Sequence, residues 1–313
     1  MGTRKAHPLK PSHSNSPDSS KFSLWPVLQR IFAPDPPAST RITDPAEIQG
    51  AYRNYQYKIL VATMVGYAAF YFVRKNLSVA MPLMEEELGI TKTSLGLFLT
   101  LHGIVYGVSK FANGFLGDRC NGRTFMVAGL FICGLINVAF AFFGEMASEA
   151  KVTLSGFAAV AWVMGILWIL NGWFQGMGFP PCARLMTHWF PPRVLAMRMS
   201  IWNTSHSIGA AAVVGLGGLL VWMGLGWKSI FYVPAIIAFV TCIYLWMTLK
   251  DTPESLGLPP VETLDETAME SAAAEVDQAD AEAAQALVTP AEAPSDKNFY
   301  MRKVFTNPYI WII

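Results

Sequence analysis

The chain has 313 residues, of which 53% are hydrophobic and only 14% are charged, and its net charge is +1. These proportions argue against a soluble globular domain and favour an integral membrane protein. Its four cysteines, Cys120, Cys133, Cys182 and Cys242, show no paired spacing, and no glycine-rich nucleotide loop follows a predicted strand. We therefore expect no disulfide framework, no metal, no cofactor and no nucleic-acid partner.

The predicted elements form four regions in chain order. Residues 1–54 are a polar, basic tail without an apolar run of the signal-peptide kind. Residues 55–250 contain six apolar stretches that are long enough to cross a bilayer, at 59–81, 94–117, 124–144, 157–180, 198–222 and 228–249. Residues 251–302 are an acidic linker with nothing to bury. Residues 303–313 begin a seventh span that is not completed, so we expect a truncated protein.

The distribution of Lys and Arg among the short loops predicts the orientation of the spans. The N-terminal tail, the loop with Arg119 and Arg123, and the loop with Arg193 fall on one side of the predicted bundle. The loops on the other side carry acidic residues or few cations. The positive-inside rule then places the N-terminus and the acidic linker in the cytoplasm of a multi-pass protein of the inner or plasma membrane.

Two adjacent cations, Arg74 and Lys75, interrupt the first span. An arginine near the bilayer centre costs roughly 2.5 to 3.5 kcal/mol on insertion scales, so a buried one usually faces a cavity, a partner or an anion. Tyr67, Tyr71 and Arg74 are spaced four and three residues apart and therefore share one helix face, whereas Lys75 is turned away by roughly 100°. The spacing indicates that Arg74 is the cavity residue.

Other spans carry polar residues at a similar depth. His102, Tyr106 and Lys110 form an i, i+4, i+8 row, and Trp202 and His206 form an i, i+4 pair. Arg74, Lys110 and His206 all lie within roughly 6 Å of the predicted bilayer centre. Each has a simpler interpretation alone, because Lys110 can extend to the headgroups and His206 can pack between helices. Together, with no intramembrane Asp or Glu, they predict an anion site.

The fourth span is rich in glycine. Gly172, Gly176 and Gly178 precede two prolines in NGWFQGMGFPP, which predicts a helix that packs closely against a neighbour or bends. Trp173 and Gln175 are placed to reach a cavity, although Trp173 is equally suited to a lipid-facing position.

Four segments in this order, GYAAFYFVRKN, YGVSKFANGFLGDRCNGR, NGWFQGMGFPPCARLMTHWF and SIWNTSHSIGA, resemble the organophosphate:phosphate antiporters of the major facilitator superfamily. The resemblance covers about residues 50–260. The start of the seventh span, NPYIW, looks more like the hexose-phosphate members and their sensor relative than the glycerol-3-phosphate carriers.

The resemblance implies an all-α integral membrane fold, in which this chain is the N-terminal six-helix bundle, built of 3+3 inverted repeats, of a twelve-helix transporter. It also implies exchange of an organophosphate for inorganic phosphate, with the lipid bilayer and the C-terminal bundle of the same protein as partners. Arg74 then matches the phosphate-binding arginine, and the other substrate-binding positions are Lys110, His206, Tyr67, Tyr71, Tyr106, Trp173 and Trp202. A second phosphate-binding arginine is implied on the seventh span.

The segment from Gly114 to Arg123 resembles the superfamily's loop between spans two and three, which implies a gating role for Asp118, Arg119 and Arg123. It has one residue more before its second glycine than the common pattern, and a simple turn with solvated charges would look similar.

Three functional hypotheses follow from the sequence. Antiport of a sugar phosphate, such as hexose 6-phosphate, or of glycerol 3-phosphate is favoured, and we expect the 313-residue chain alone to be inactive in transport. The alternative is a membrane sensor for external hexose phosphate that signals to a histidine kinase. An enzyme is disfavoured because no nucleophile and base stand at catalytic spacing.

Overall fold

A computed structural model describes residues 30–149, 153–154 and 157–263 of the chain. Seven α-helices account for most of these residues: α1 (Pro45–Leu88), α2 (Lys92–Gly117), α3 (Gly122–Glu149), α4 (Ala159–Gln175), α5 (Phe179–Trp189), α6 (Pro192–Trp222) and α7 (Ser229–Thr248). Between α3 and α4, Thr153–Leu154 pairs antiparallel with Phe157–Ala158, and a 3₁₀ turn at Glu254–Leu256 follows α7. The predicted all-α fold is therefore confirmed.

The ends of the helices are set by local chemistry. Asp44 caps α1 by accepting a hydrogen bond from the Ala46 N–H at 3.3 Å, with Pro45 in the first turn. The same helix ends at Gly89, whose φ of 67° is the left-handed conformation that glycine adopts most readily. Thr91 caps α2 through its hydroxyl, which accepts from the Ser94 N–H at 3.2 Å.

The central helix is α1, which packs against α6 and α7 and also contacts α3, α4 and α5. A buried apolar cluster near its C-terminal end contains Leu77 and Met84, Trp168 of α4, Phe231 of α7 and Trp227 of the turn before α7. Buried aromatic rings of this kind remove large apolar areas from solvent and hold the helices at fixed distances.

Four of the described helices are long and apolar enough to cross a membrane by themselves: Lys92–Gly117, Gly122–Met146, Pro192–Trp222 and Ser229–Thr248. In α1 the apolar stretch lies between Lys58 and Arg74, and α4 has only 17 residues. The fourth predicted span is interrupted after Gln175 by a tight turn at 176–178, after which α5 continues as a second helix. The glycine-rich sequence does bend the chain there.

The first helix begins at Pro45 and so extends beyond the apolar stretch predicted at 59–81. Its N-terminal part packs on the bundle: the Tyr52 hydroxyl donates to the Pro259 carbonyl and the Gln56 amide donates to the Trp189 carbonyl. The ordered bundle also extends past residue 250, since Leu258 and Val261 are buried. The acidic segment therefore has apolar groups to bury at its start. Most of the N-terminal tail, the linker from 264 and the seventh span at 303–313 lie outside the described residues.

Candidate functional site

The guanidinium group of Arg74 lies between two tyrosine rings. Its central carbon is 3.9 Å from the centroid of the Tyr106 ring on α2 and 5.4 Å from that of Tyr71 on α1. No carboxylate within the described ranges lies in ion-pair distance of Arg74. The aromatic faces stabilise the cation but leave its charge unneutralised.

A second cation uses the same ring. The Lys110 ammonium lies 4.7 Å from the Tyr106 centroid, so one ring on α2 is flanked by a cation from each of two helices. The Lys110 side chain is exposed, and Arg74 is half-buried.

Helix α6 closes the other side of this cluster. The Trp202 ring centroid is 4.7 Å from that of Tyr67, and the His206 ring centroid is 5.8 Å from that of Tyr71. Tyr67 and Tyr71 contact each other edge to face at 5.6 Å. Their four rings form a continuous aromatic wall from α1 to α6 that ends at Arg74.

A glycine permits this approach of α6 to α1. A methyl group added at Gly209 would lie 2.7 Å from the carbonyl oxygen of Ala68 and 2.9 Å from its Cα. Backbone therefore faces backbone one turn beyond His206, in the small-residue packing typical of membrane helices.

The hydrogen bonds of His206 define the chemistry of its ring. Its Nδ1 donates to the Asn203 carbonyl of the same helix, and its Nε2 lies 3.3 Å from the Ser207 hydroxyl. Because a carbonyl oxygen only accepts, Nδ1 carries the hydrogen, and Nε2 of the neutral ring is an acceptor. Protonation converts Nε2 into a donor that an anion can accept from.

The structure thus brings together seven of the eight predicted substrate-binding residues: Arg74, Lys110, His206, Tyr67, Tyr71, Tyr106 and Trp202. Trp173 is outside this ring cluster, with a side chain that is 39% exposed and no described ring contact to its members. Gln175 is buried and donates to backbone carbonyls of α1. Lys75 is exposed and turned away, as its helical position predicts.

An open cavity of about 580 Å³ adjoins the ring cluster between α2 and α5. Its lining includes Lys110, which contacts Tyr106, and Phe179, whose ring is 5.7 Å from that of Trp202. The other lining residues are Gly107, Phe111, Gly114, Asp118, Pro180 and Ala183. The cavity is large enough for a small phosphorylated metabolite beside Lys110, whereas Arg74 is not among the residues that line it.

The three predicted gating residues lie at the junction of α2 and α3, with Asp118 and Arg119 directly after α2 and Arg123 in the first turn of α3, and they do not pair with one another. Arg119 lies 3.6 Å over the Phe115 ring and donates to the Phe115 carbonyl at 3.0 Å. Arg123 forms an ion pair with Asp35 at 3.5 Å. Asp118 is exposed, and its backbone carbonyl accepts from Arg184.

A buried ion pair at the same end of the bundle was missed from the sequence. Asp251 is fully buried, accepts from the Gly122 N–H at 2.7 Å, and pairs with Arg184 at 3.4 Å. This carboxylate joins the start of α3, the middle of α5 and the segment after α7. Composition did not predict the burial of Asp251, because this residue stands at the edge of a segment that is rich in acidic residues. Its partners Gly122 and Arg184 both lie inside the segments that carry the family resemblance.

Comparison with known proteins identifies a family and several relatives of this chain. Residues 63–313 match the family model of the Major Facilitator Superfamily. The glycerol-3-phosphate transporter of Bacillus subtilis is 39% identical over 75% of this chain and 50% of its own length. A probable hexose phosphate transport protein of Chlamydia trachomatis is 34% identical over 93% of this chain and 59% of its own length. The membrane sensor protein UhpC of Salmonella typhimurium is 34% identical over 90% and 57%.

Among solved structures, the inward-open xylose transporter XylE from E. coli matches with a TM-score of 0.50 at 14% identity, covering 64% of this chain and 50% of that one. This likeness concerns the fold alone. The chain spans about half the length of the curated relatives it matches, and those relatives are membrane transporters and a sensor, not enzymes. The chain belongs to the Major Facilitator Superfamily, with transporters of glycerol 3-phosphate and hexose phosphate among its relatives.

Proposed function

We propose that this protein is a membrane antiporter that exchanges an organophosphate, such as a hexose 6-phosphate or glycerol 3-phosphate, for inorganic phosphate by alternating access. The observation that supports this proposal most is the position of Arg74 in the first predicted span. Its guanidinium has no carboxylate partner among the described residues and lies 3.9 Å from the ring of Tyr106. In the proposed arrangement the N-terminus faces the cytoplasm of an inner or plasma membrane, and a C-terminal bundle completes the site.

The chemistry of the guanidinium suits a phosphoryl group. The guanidinium carbon lies 3.9 Å from the centroid of the Tyr106 ring. The planar group carries its N–H donors in a fork that can bind two phosphate oxygens at once. A phosphate monoester carries about −1.5 to −2 charges at neutral pH, which Arg74 and Lys110 together offset. Inorganic phosphate and an organophosphate share this group, so the same cations bind either one in turn.

The ring cluster supplies contacts for the organic part of the substrate. Trp202 and Tyr67 pack at 4.7 Å and form an apolar, partly hydrogen-bonding wall beside the cations. His206, at the end of this wall, donates to the substrate in its protonated form. We propose that Trp173 contacts the substrate only in another conformation of the protein, because its side chain lies outside the cluster in this one.

Gating by Asp118, Arg119 and Arg123 forms part of the same proposal. Asp118 and Arg119 are exposed at one end of the bundle, and the Asp118 carboxylate and the Arg119 guanidinium have no oppositely charged partner among the described side chains. They are therefore available to a second bundle that docks on this end. Arg123, already paired with Asp35, is held within the first bundle.

Exchange of labelled phosphate tests the proposal. Cells that express the gene are loaded with labelled inorganic phosphate, and hexose 6-phosphate or glycerol 3-phosphate is added outside. We expect efflux that requires the external organophosphate. Arg74→Lys, which keeps the charge but loses the planar fork, should reduce the exchange at least about tenfold. Lys58→Gln, on the same helix about 24 Å away, is the control and should leave exchange unchanged.

A second candidate function is sensing of external hexose phosphate without transport. It is supported by the alignment with the sensor protein, which extends over 90% of this chain, close to the 93% covered by the probable hexose phosphate transport protein of Chlamydia trachomatis. In the exchange experiment a sensor would bind hexose 6-phosphate but release no labelled phosphate.

A further inference from the structure

The carbonyl oxygen of Val73, one residue before Arg74, accepts hydrogen bonds from three buried amide side chains. Asn137 of α3 donates at 3.0 Å, Asn171 of α4 at 3.0 Å and Gln175 of α4 at 3.4 Å. A carbonyl oxygen has two lone pairs, so three side-chain donors are more than one for each lone pair. The convergence marks this turn of α1 as a point that the neighbouring helices hold.

The same part of α1 takes part in three further hydrogen bonds. Gln175 also donates to the Phe70 carbonyl at 3.2 Å, and Asn76 donates to the Asn137 side-chain oxygen at 2.7 Å and to the Ile230 carbonyl of α7 at 3.0 Å. All four amide side chains, which we call the amide cluster (Asn76, Asn137, Asn171 and Gln175), are at most 4% exposed. Their hydrogen bonds join α1 to α3, α4 and α7 within about two helical turns, from residue 70 to residue 76.

Ordinary packing does not explain this concentration. Polar side chains often join membrane helices, and each such bond contributes only about 0.6 kcal/mol on average. In the described ranges, the amides that other helices donate to the α1 backbone all fall between residues 70 and 76, although α1 runs for 44 residues. The bonds are thus placed where the helix carries Tyr71 and Arg74.

We propose that the amide cluster is a positioning device for Arg74, which sets the rotation and depth of its guanidinium relative to Lys110 and Tyr106. The inference rests on the proposed function, because the position of the guanidinium matters for binding only if Arg74 binds phosphate. A bidentate contact with phosphate depends on angle as well as distance, and a shift of about 1 Å in a binding group can cost up to a hundredfold. The amides prevent α1 from rotating about its axis at the one turn where rotation would move the guanidinium.

Titration of inorganic phosphate into the purified 313-residue chain in detergent, followed by calorimetry, tests the inference. Asn171→Leu and Gln175→Leu remove amide donors and keep apolar volume, and each should weaken phosphate binding about tenfold. Asn113→Leu is the matched control: Asn113 is also buried and donates to a backbone carbonyl, that of Trp173 at 3.2 Å, but it joins α2 to α4 without touching α1. Its affinity should change less than about twofold.

A double-mutant cycle separates positioning from general stability. If the amides act through Arg74, Asn171→Leu should change affinity less than about twofold when Arg74→Lys is already present, with phosphate raised until the weaker binding saturates. In a Lys110→Ala background the tenfold loss should persist. Equal losses in the Arg74→Lys and wild-type backgrounds would overturn the inference, as would an Asn113→Leu loss equal to that of Asn171→Leu. Failure of the protein to release labelled phosphate in exchange for an external organophosphate, in the cell experiment above, would instead overturn the proposed function.

Discussion

Replacement of Gly209 by alanine tests whether the spacing of α1 and α6 determines the site. The added methyl would lie 2.7 Å from the Ala68 carbonyl oxygen, whereas ordinary contact begins at 3.4 Å, so the two helices must separate by 0.7 Å. The atom that it meets is backbone and cannot turn aside. Alanine gains about 0.8 to 1 kcal/mol of helix propensity over glycine, and forced overpacking costs about 1 to 3 kcal/mol. We therefore expect a net destabilisation of about 0 to 2 kcal/mol.

The larger effect of Gly209→Ala should be on binding. Separation of the helices moves Trp202 and His206 away from Tyr67 and Tyr71, whose ring centroids now lie 4.7 and 5.8 Å from theirs. A displacement of this size should weaken phosphate or hexose 6-phosphate binding at least about tenfold. The assay is calorimetric titration of the purified chain, with thermal unfolding measured in parallel.

Gly215→Ala is the matched control on the same helix, since a methyl at Gly215 meets nothing within 4 Å. It should leave binding unchanged and raise stability by about 0.5 to 1 kcal/mol. Wild-type affinity in Gly209→Ala would refute the claim that the aromatic wall between α1 and α6 forms part of the site.

Three further predictions concern the end of the bundle where the segment after α7 packs. Asp251→Asn removes a buried charge from its guanidinium partner and should cost about 3 to 5 kcal/mol in thermal unfolding, whereas Glu262→Gln, at an exposed position, should cost nothing measurable. Burial, together with two nearby glutamates, raises the pKa of Tyr52 well above its usual range. The unfolded chain therefore releases this proton first, and stability should fall as the pH rises above 10, more steeply than in Tyr52→Phe. Tyr57→Phe, at a 70% exposed ring, should follow the wild-type pH curve. Gly257→Ala combines a φ of 78° with a methyl 2.3 Å from the Thr40 carbonyl oxygen, and should lower the melting temperature of the bundle; an unchanged melting temperature would show that this segment adds no stability.

Helical periodicity made the main part of the ring cluster predictable. Tyr67, Tyr71 and Arg74 share a face because the rise and turn of a helix are fixed, and the i, i+4 pair of Trp202 and His206 follows from the same geometry. Depth in the bilayer then suggested that cations on different helices meet. The structure brings Arg74 and Lys110 to the same ring, Tyr106.

The contacts between helices were not predictable from spacing alone. The sequence placed Gln175 to reach a cavity, whereas Gln175 and Asn171, four residues before it in the glycine-rich span, donate to the backbone of α1. The rotation of α4 about its own axis decides between these positions, and it depends on close contacts such as that of Gly176 with Ser109. The burial of Asp251 likewise depends on the tertiary approach of α5, which no local pattern encodes.

The central claim is that Arg74 binds a phosphoryl group, and titration of inorganic phosphate into the wild-type, Arg74→Lys and Lys58→Gln chains tests it most directly. A guanidinium that donates two hydrogen bonds to the anion contributes a charge-assisted contact that lysine cannot reproduce. We predict that Arg74→Lys weakens phosphate binding about ten- to a hundredfold and that Lys58→Gln binds as the wild type does. Equal affinity in all three chains would contradict the account.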